Sequence, residues 1–335
     1  MRCFWSLVLV GLMAVPAAAS ITVDGVLDAT YGPAVSVQTV ESQFGDEGNG
    51  CDDCGGELDA AYAKIWNGRL YLMITGNQEA DSFNKLDIFI DSVAGGENVF
   101  SNVPQYDFNP GGGGYWISQN LGGMTLDNGF APDYHLFSRA GGGNFEVDFV
   151  NRQGGGAAQV PGASNGTPLG GGAGAQTAVG VVSAGDVGPN ASGSSLSQSL
   201  EYGFNNTNDA GVLGGTGAAN QAAALAVTTG MEFSIDLADI GNPGVGSVIL
   251  VGAYYNNGDH NYLSNQLLGG LAPPQGNLGG DGAGGFTGTL SGINLNNFAG
   301  EQYFRVPVTA EVPEPATLVL FGLVLAGLAC GRRRS

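Results

Sequence analysis

The sequence has 335 residues, 60 of them glycine, and its acidic residues outnumber the basic ones 30 to 10, which gives a net charge of −20. So few cations argue against nucleic-acid binding, which needs clustered Lys and Arg near the phosphates. So much glycine argues against a mainly helical protein, because each glycine in a helix interior costs about 1 kcal/mol relative to alanine. The glycines do not recur every third residue, which excludes collagen. What remains is an acidic β protein with glycine-rich loops.

The first 19 residues have the pattern of a secretory signal peptide. Arg2 gives a positive start, an apolar run follows, and Ala17 and Ala19 form the A-x-A pattern that signal peptidase cleaves. A buried core helix is the alternative, but the position at the extreme N-terminus favours a signal. We therefore expect export, signal peptidase as a partner, and a mature chain that begins at Ser20.

The C-terminus combines a Pro-Glu-Pro motif, an apolar run of 15 residues and a basic end. The residues are Val312, Pro313, Glu314 and Pro315, then residues 316–330, then Arg332, Arg333 and Arg334. An ordinary membrane anchor is one interpretation, because basic residues behind an apolar run favour a cytoplasmic end. The run is shorter than the about 20 residues that usually span a membrane, and an ordinary anchor does not account for the Pro-Glu-Pro.

This tail, residues 311–335, resembles the PEP-CTERM sorting signal. The resemblance implies a C-terminal transmembrane helix that holds an inner-membrane intermediate, and an exosortase that processes the chain at or near the Pro-Glu-Pro. It further implies that the protein then reaches the cell surface or the extracellular matrix of a Gram-negative bacterium. Without its two ends, the body at residues 20–310 has 6 basic and 28 acidic residues, a charge of −22, which favours solubility.

Alternating apolar and polar residues predict an all-β sandwich between the two ends. The clearest element is a hairpin at residues 59–74, in which Asn67-Gly68 is a two-residue turn that pairs Trp66 with Arg69. Further strands are predicted at 86–91, 145–149, 231–237, 247–255 and 303–308, with a short helical turn at 237–240.

Residues 153–230 show no strong periodicity, because Gly, Ala, Ser and Thr dominate there. We predict long loops inserted in the sandwich, with one strand at 177–182. A glycine-rich repeat solenoid is the alternative, but no fixed period supports it.

Four segments carry a second, weaker resemblance. They are Ile21-Thr22-Val23-Asp24-Gly25-Val26-Leu27-Asp28, the hairpin, Phe89-Ile90-Asp91-Ser92 and Glu232-Phe233-Ser234-Ile235. Their order is similar to the β-sandwiches of the DOMON and carbohydrate-binding-module family nine group, although Ala29 stands where that group usually has Glu. The resemblance implies a jelly-roll-like sandwich and polysaccharide binding. Related sandwiches often hold structural calcium, which makes Asp24, Asp28 and Asp91 a candidate calcium set.

One face of the predicted hairpin combines aromatic and basic residues. Its members are Tyr62, Lys64, Trp66, Arg69 and Tyr71, and Trp116 is a further aromatic candidate. Aromatic rings stack on sugar rings, and the two cations can donate to hydroxyls, so this face is the candidate carbohydrate site. The alternative is a face covered by a loop, with Arg69 stacked on Trp66.

Cys51 and Cys54 are the cysteine pair of the mature chain, and we predict a local disulfide in an oxidising compartment. The two aspartates between them disfavour a redox thiolate. A zinc site would need further ligands, and His135 and His260 are distant in sequence. The acidic loop at residues 46–59 is either a calcium site or a solvated loop.

Two glycine motifs match enzyme signatures by chance. The G-x-S-x-G at residues 162–166 lies between prolines, and the G-x-G-x-x-G at residues 280–285 has no predicted strand before it. We therefore expect no enzyme, although paired carboxylates could form a glycosidase site whose geometry a sequence does not give. Two functional hypotheses follow: a matrix protein that binds polysaccharide, and a structural or adhesive protein without a small-molecule site.

Overall fold

The structure is a computed structural model that describes residues 20–44, 55–80, 82–101, 117–154, 160–171, 176–186, 196–208 and 210–310. Strands in these ranges form two antiparallel sheets, and residues 21–310 constitute one compact unit. The all-β class is therefore confirmed. The signal segment, Cys51, Cys54, Trp116 and the C-terminal tail lie outside the described residues. Within the described ranges, no helix is long and apolar enough to cross a membrane.

The first sheet contains six strands. In spatial order they are β1 (Ser36–Val37), β2 (Glu57–Trp66), β3 (Arg69–Asn77), β10 (Gly230–Asp236), β9 (Leu200–Asn205) and β8 (Thr177–Val182). The centre of this sheet is therefore the β2–β3 hairpin joined to β10, which comes more than 150 residues later in the chain.

The second sheet contains seven strands. They are β12 (Leu263–Leu268), β11 (Val248–Asn256), β4 (Lys85–Asp91), β5 (Tyr134–Gly141), β6 (Asn144–Asn151), β7 (Val160–Pro168) and β13 (Phe304–Pro307). β11 pairs with β4 on one side, and with β12 and β13 on successive parts of the other. The predicted strand at 247–255 is thus a central strand. The predicted helical turn at Leu237–Ile240 is a 3-10 helix, and the four-residue helix α1 is Gln221–Ala224.

The predicted hairpin has the register that its turn dictates. Trp66 pairs with Arg69, and Lys64 pairs with Tyr71. Asn67 has φ 50° and Gly68 has φ 72°, and a type I′ turn requires positive φ at both central residues. The prediction from Asn67-Gly68 is confirmed.

The main core lies between the two sheets, where alternate residues of each strand meet. From β6, Phe145 stacks on Phe204 of β9 with ring centroids 4.5 Å apart, so this contact joins the two sheets. Both side chains have no solvent exposure. Burying a phenylalanine contributes roughly 1.5–3 kcal/mol, and the same alternation along β4 and β10 extends this core across both sheets.

The prediction of long loops at residues 153–230 is wrong for much of the segment. The strand at 177–182 is confirmed, but β7, β9 and α1 also lie there. β7 contains Pro161 and Pro168 and follows β6 at the end of the second sheet. Edge strands tolerate Pro and Gly because one side of their backbone needs no partner, so composition concealed this strand.

The N-terminal segment, residues 21–37, covers the outer face of the first sheet. Ile21 and Tyr31 pack there with Tyr62, Tyr71 and Met73 in a second buried cluster. This layer is the reason that the hairpin contributes side chains to two cores, one on each face.

The carboxylate of Glu232 on β10 holds the N-terminal segment in place. Its Oε2 accepts hydrogen bonds from the backbone N–H groups of Asp24 and Gly25 at 2.9 and 3.0 Å, and its Oε1 accepts from the Tyr31 hydroxyl at 2.8 Å. Burial raises the pKa of Glu232 to about 7, although these three hydrogen bonds favour the charged form. The Glu232 side chain therefore changes between its neutral and its charged form near neutral pH.

We predict that stability declines between pH 5 and pH 8 and that Glu232→Gln reduces this decline. The folded-state pKa of Glu232 is raised above its usual value of 4.5, so its protonated form stabilises the fold at low pH, and that contribution is lost as pH rises through about 7. The shift corresponds to a change in unfolding free energy on the order of 3 kcal/mol. Urea unfolding at several pH values measures it. Glu201→Gln, an exposed position on β9, is the matched control, and an equal decline in wild type and Glu232→Gln would contradict the assignment.

We further predict that Gly203→Ala loosens the N-terminal segment. A Cβ atom at Gly203 would lie 2.5 Å from the backbone N of Gly25 and 2.6 Å from the carbonyl carbon of Asp24. Such overpacking against backbone costs about 1–3 kcal/mol, so the urea midpoint should fall. Gly244→Ala, where a Cβ meets nothing within 4 Å, should leave it unchanged. Equal midpoints for the two variants would show that the segment does not press on β9.

Candidate functional site

The polar-aromatic face of the hairpin is covered by the N-terminal segment. Tyr62 is 5% exposed and Tyr71 is 7% exposed, and Trp66 packs against the same cluster with its ring 5.9 Å from that of Tyr71. The expectation of an exposed aromatic platform is therefore corrected at these two tyrosines. The cover that the alternative predicted is present, but its stack of Arg69 on Trp66 is not among the cation–π contacts of the described residues. The half-buried Lys64 lies at its margin.

Arg69 is held by the protein itself. Its Nε donates to the Ser234 hydroxyl at 2.6 Å, and its Nη2 donates to the carbonyls of Ser199 and Ser234 at 2.8 Å. Glu201 and Asp236 lie within 4.0 Å of the guanidinium. These contacts join β3, β10 and the start of β9, which is a structural role.

The candidate calcium set Asp24, Asp28 and Asp91 does not converge. Asp24 and Asp28 accept hydrogen bonds from Val26 and Thr22 within the N-terminal segment, on the first sheet. Asp91 ends β4 in the second sheet, where it accepts from the backbone of Ala131, and burial raises its pKa to about 6. Each of the three carboxylates accepts a hydrogen bond from a backbone N–H group instead. The order of the segments along the chain therefore did not predict that the three side chains would lie close together.

The acidic loop is described only at its end. Glu57 and Asp59 begin β2 and are buried, and Asp59 accepts a hydrogen bond from the backbone of Val212 at 2.9 Å. The remaining acids of the loop, with Cys51 and Cys54, lie outside the described residues, and both the disulfide and the loop calcium site stay predictions.

A neutral groove of about 560 Å³ opens beside the β11–β12 connection. We call it the amide groove, and its walls are Gln43, Tyr262, Gln275, Gly276, Asn277, Ala283 and Gly284. None of these described wall residues is charged. Because the groove is concave, we take it as a candidate binding site.

Hydrogen bonds fix the walls of the amide groove. The Gln43 side-chain oxygen accepts from the backbone N–H of Asn277 at 2.7 Å, and the Tyr262 hydroxyl donates to the Gly284 carbonyl at 3.1 Å. The Gln275 side-chain nitrogen donates to the Gly276 carbonyl at 2.9 Å. These contacts use the oxygen of the Gln43 amide and the nitrogen of the Gln275 amide, and they fix both side chains at the groove.

A buried Asp-His-His cluster lies on the outer face of the second sheet. Asp87 is on β4, His135 is on β5, and His260 is in the turn between β11 and β12. The Nε2 atoms of both histidines lie within hydrogen-bond distance of the same Asp87 oxygen, at 2.9 Å for His135 and 2.7 Å for His260. The three side chains are at most 1% exposed. They are the one group of three potential metal ligands that the described residues bring together.

Strand alternation explains how the cluster forms. Leu86 and Ile88 of β4 point into the main core, so Asp87 points to the opposite face. In the antiparallel pair β4–β5, Asp87 is opposite Phe137 and His135 is opposite Phe89, so Asp87 and His135 are diagonal neighbours on one face. The His135 ring stacks on Phe89 with centroids 4.4 Å apart.

Burial controls the charge of the cluster. It lowers the pKa of His135 to about 4, although Asp87 acts in the opposite direction. Burial raises the pKa of the Asp87 carboxyl, but the neighbouring His260 and hydrogen bonds from both imidazoles outweigh it and hold that pKa well below its usual range. At neutral pH the cluster therefore combines a carboxylate with a neutral His135.

Little in the amino-acid sequence indicated this cluster. His135 and His260 are 125 residues apart, and distance along the chain counted against a shared site. The one signal in the sequence was the small number of histidines. The chain has only two, and the structure buries both. Strand pairing, which places β4 between β5 and β11, brings them together.

Comparison with known proteins gives one match, and it concerns the C-terminal tail. No curated protein and no solved structure matches the chain, so the likeness of the body to DOMON and carbohydrate-binding-module family nine sandwiches stays a prediction. Residues 311–334 match the family model of the PEP-CTERM protein-sorting motif. The chain therefore carries a PEP-CTERM motif, which directs exosortase-dependent sorting to the exterior through a membrane-anchored intermediate.

Proposed function

We propose that this protein is a component of the cell surface or extracellular matrix whose body binds neutral polysaccharide through the amide groove. The PEP-CTERM motif supports the location, because it directs the chain to the exterior. The observation that carries the binding proposal is the groove itself: a concavity of about 560 Å³ whose described walls are amide, tyrosine, glycine and alanine residues.

The chemistry of the walls matches sugar hydroxyls. A hydroxyl both donates and accepts hydrogen bonds, and side-chain amides supply both partners in one group. Gln43 and Gln275 supply such amides, while Tyr262 adds an aromatic ring for the apolar face of a sugar. The strongly acidic body repels anionic polymers, which favours an uncharged polysaccharide.

The same residues suit binding better than catalysis. Amides do not titrate near neutral pH and do not act as nucleophiles, so the amide walls supply no general acid or base. We therefore propose a binding protein and not an enzyme.

A structural or adhesive role is the second candidate, and the end strand β8 favours it. Val179 and Val181 are on the same face of β8 and are 59% and 41% exposed. Adjacent exposed valines on an end strand of a sheet are typical of protein contacts. This role predicts concentration-dependent self-association that Val179→Ser with Val181→Ser reduces.

We predict that disrupting the Pro-Glu-Pro motif retains the chain in the membrane fraction. A chain with Pro313→Ala, Glu314→Ala and Pro315→Ala keeps its apolar run but loses the residues that the exosortase recognises. Cell fractionation and immunoblotting should then show full-length protein in membranes and little outside. Thr309→Ala, which precedes the matched residues, is the control and should be released normally. Release of both variants to the same extent would contradict exosortase sorting.

We predict that Tyr262→Ala and Gln275→Ala weaken binding of the full chain to neutral polysaccharide about tenfold, since each removes a contact worth about 1 kcal/mol or more. A glycan array, with and without EDTA, identifies the ligand, and titration of that ligand measures the variants. Trp66→Ala on the covered hairpin face is the matched control and should bind like wild type.

Three results would overturn the groove proposal. They are loss of binding with Trp66→Ala alone, unchanged binding with both groove variants, and no glycan bound by the wild-type chain. The last result, together with self-association, would select the structural role. Loss of sugar binding in EDTA would add a metal requirement to the site.

A further inference from the structure

Both histidines of this chain meet at one carboxylate. The sequence contains two histidines in 335 residues, and each places its Nε2 within 2.9 Å of the same Asp87 oxygen. A hydrogen-bond network accounts for these distances, because one carboxylate oxygen can accept from two donors. The same arrangement also brings three potential metal-ligand atoms within 4.8 Å of one another.

The donor set selects a class of metal. Ca²⁺ and Mg²⁺ prefer sites built from oxygen ligands, whereas two imidazoles and one carboxylate suit a first-row transition ion such as Zn²⁺. Zinc bonds of about 2.0–2.2 Å hold tetrahedral ligand atoms about 3.3 Å apart. The ligand atoms of Asp87, His135 and His260 lie within 4.8 Å of one another, so small side-chain shifts suffice to admit the ion.

Unsatisfied buried polar atoms at the same place are an independent observation. Asn256 is 1% exposed, and neither its side-chain oxygen nor its nitrogen has a hydrogen-bond partner; Nδ1 of His260 also has none. Asn256 is opposite Lys85 on β4, which puts it on the same face as Asp87, one diagonal away. A buried amide without a partner costs about 1–3 kcal/mol, and a metal or a metal-bound water would satisfy its oxygen.

The turn that carries His260 is strained and fixed. His260 has φ 52°, a left-handed conformation that side-chain-bearing residues rarely adopt. Its backbone N–H donates to Asn257, and Lys85 donates to the carbonyl of Gly258 in the same turn. Strained backbone of this kind is typical of ligand-holding positions.

We propose that Asp87, His135 and His260 bind a divalent first-row transition ion, for which Zn²⁺ is the best match, and that Asn256 supplies the fourth contact directly or through water. The site is distinct from the amide groove, whose walls share none of these residues. Because its ligands are at most 1% exposed, the ion enters as the chain folds and acts as a structural link between β4, β5 and the β11–β12 turn.

The test uses the full chain, purified in detergent without added chelator. Elemental analysis should find one Zn²⁺ per chain that remains during dialysis against EDTA and is released only when guanidinium unfolds the protein. Refolding with Co²⁺ should give visible absorption bands without a thiolate charge-transfer band, since the ligands are nitrogen and oxygen. A thiolate band would place the metal at cysteine and would overturn the proposal.

Variants separate this site from the rest of the chain. His260→Gln, in a turn and not in a strand, should lose the bound Zn²⁺ and the rise in unfolding temperature that Zn²⁺ gives on refolding. Cys51→Ser with Cys54→Ser, and the exposed Asp281→Asn, should keep both. If His260→Gln does not fold, the Co²⁺ spectrum of the wild-type chain decides. A wild-type chain that contains no metal and whose unfolding temperature Zn²⁺ does not change would overturn the proposal.

Discussion

The arrangement of this body depends on closing both outer faces of a two-sheet sandwich with the chain itself. On the first sheet, the N-terminal segment closes the face with an apolar cluster, and one buried carboxylate fastens it: Glu232 accepts hydrogen bonds from two backbone N–H groups and a tyrosine hydroxyl of that segment. Without that layer, the aromatic side of the hairpin would be open to solvent. The interaction thus decides that Tyr62 and Tyr71 are core residues, and it moves the search for a binding site elsewhere.

The second sheet closes its outer face partly with a second apolar cluster, which includes Phe89, Phe130 and Tyr254, and partly with paired charges. Arg139 of β5 is paired with Glu146 and Asp148 of β6 at 2.5 and 3.6 Å, and all three are nearly inaccessible to solvent. The body has six basic residues and 28 acidic ones. Removing either partner of this buried ion pair would leave an unpaired buried charge, which is strongly destabilising. The Asp-His-His cluster lies on the same outer face, where Lys85 of β4 is opposite Arg139 of β5.

The sequence predicted features that depend on neighbouring residues. It did not predict which distant segments of the chain come together in the fold. The turn Asn67-Gly68 determined its own register, and the alternation around Glu232 identified β10, because such signals depend only on neighbouring residues. β5 was not predicted, because its outward side chains mix histidine, phenylalanine and arginine and so give no clean polar face. The amide groove and the Asp-His-His cluster assemble residues that are tens to hundreds of positions apart, and no local pattern encodes which strands become neighbours.

The last strand has a mechanical consequence. β13 is four residues long, pairs with the first half of the central strand β11, and ends at Pro307, a few residues before the PEP-CTERM motif. While the tail anchors the intermediate in the membrane, any tension on that tether reaches β13 before any other described strand, and through it β11, which is one strand from the end of the second sheet. Proteolytic release at the motif removes the load and leaves every strand of the body intact.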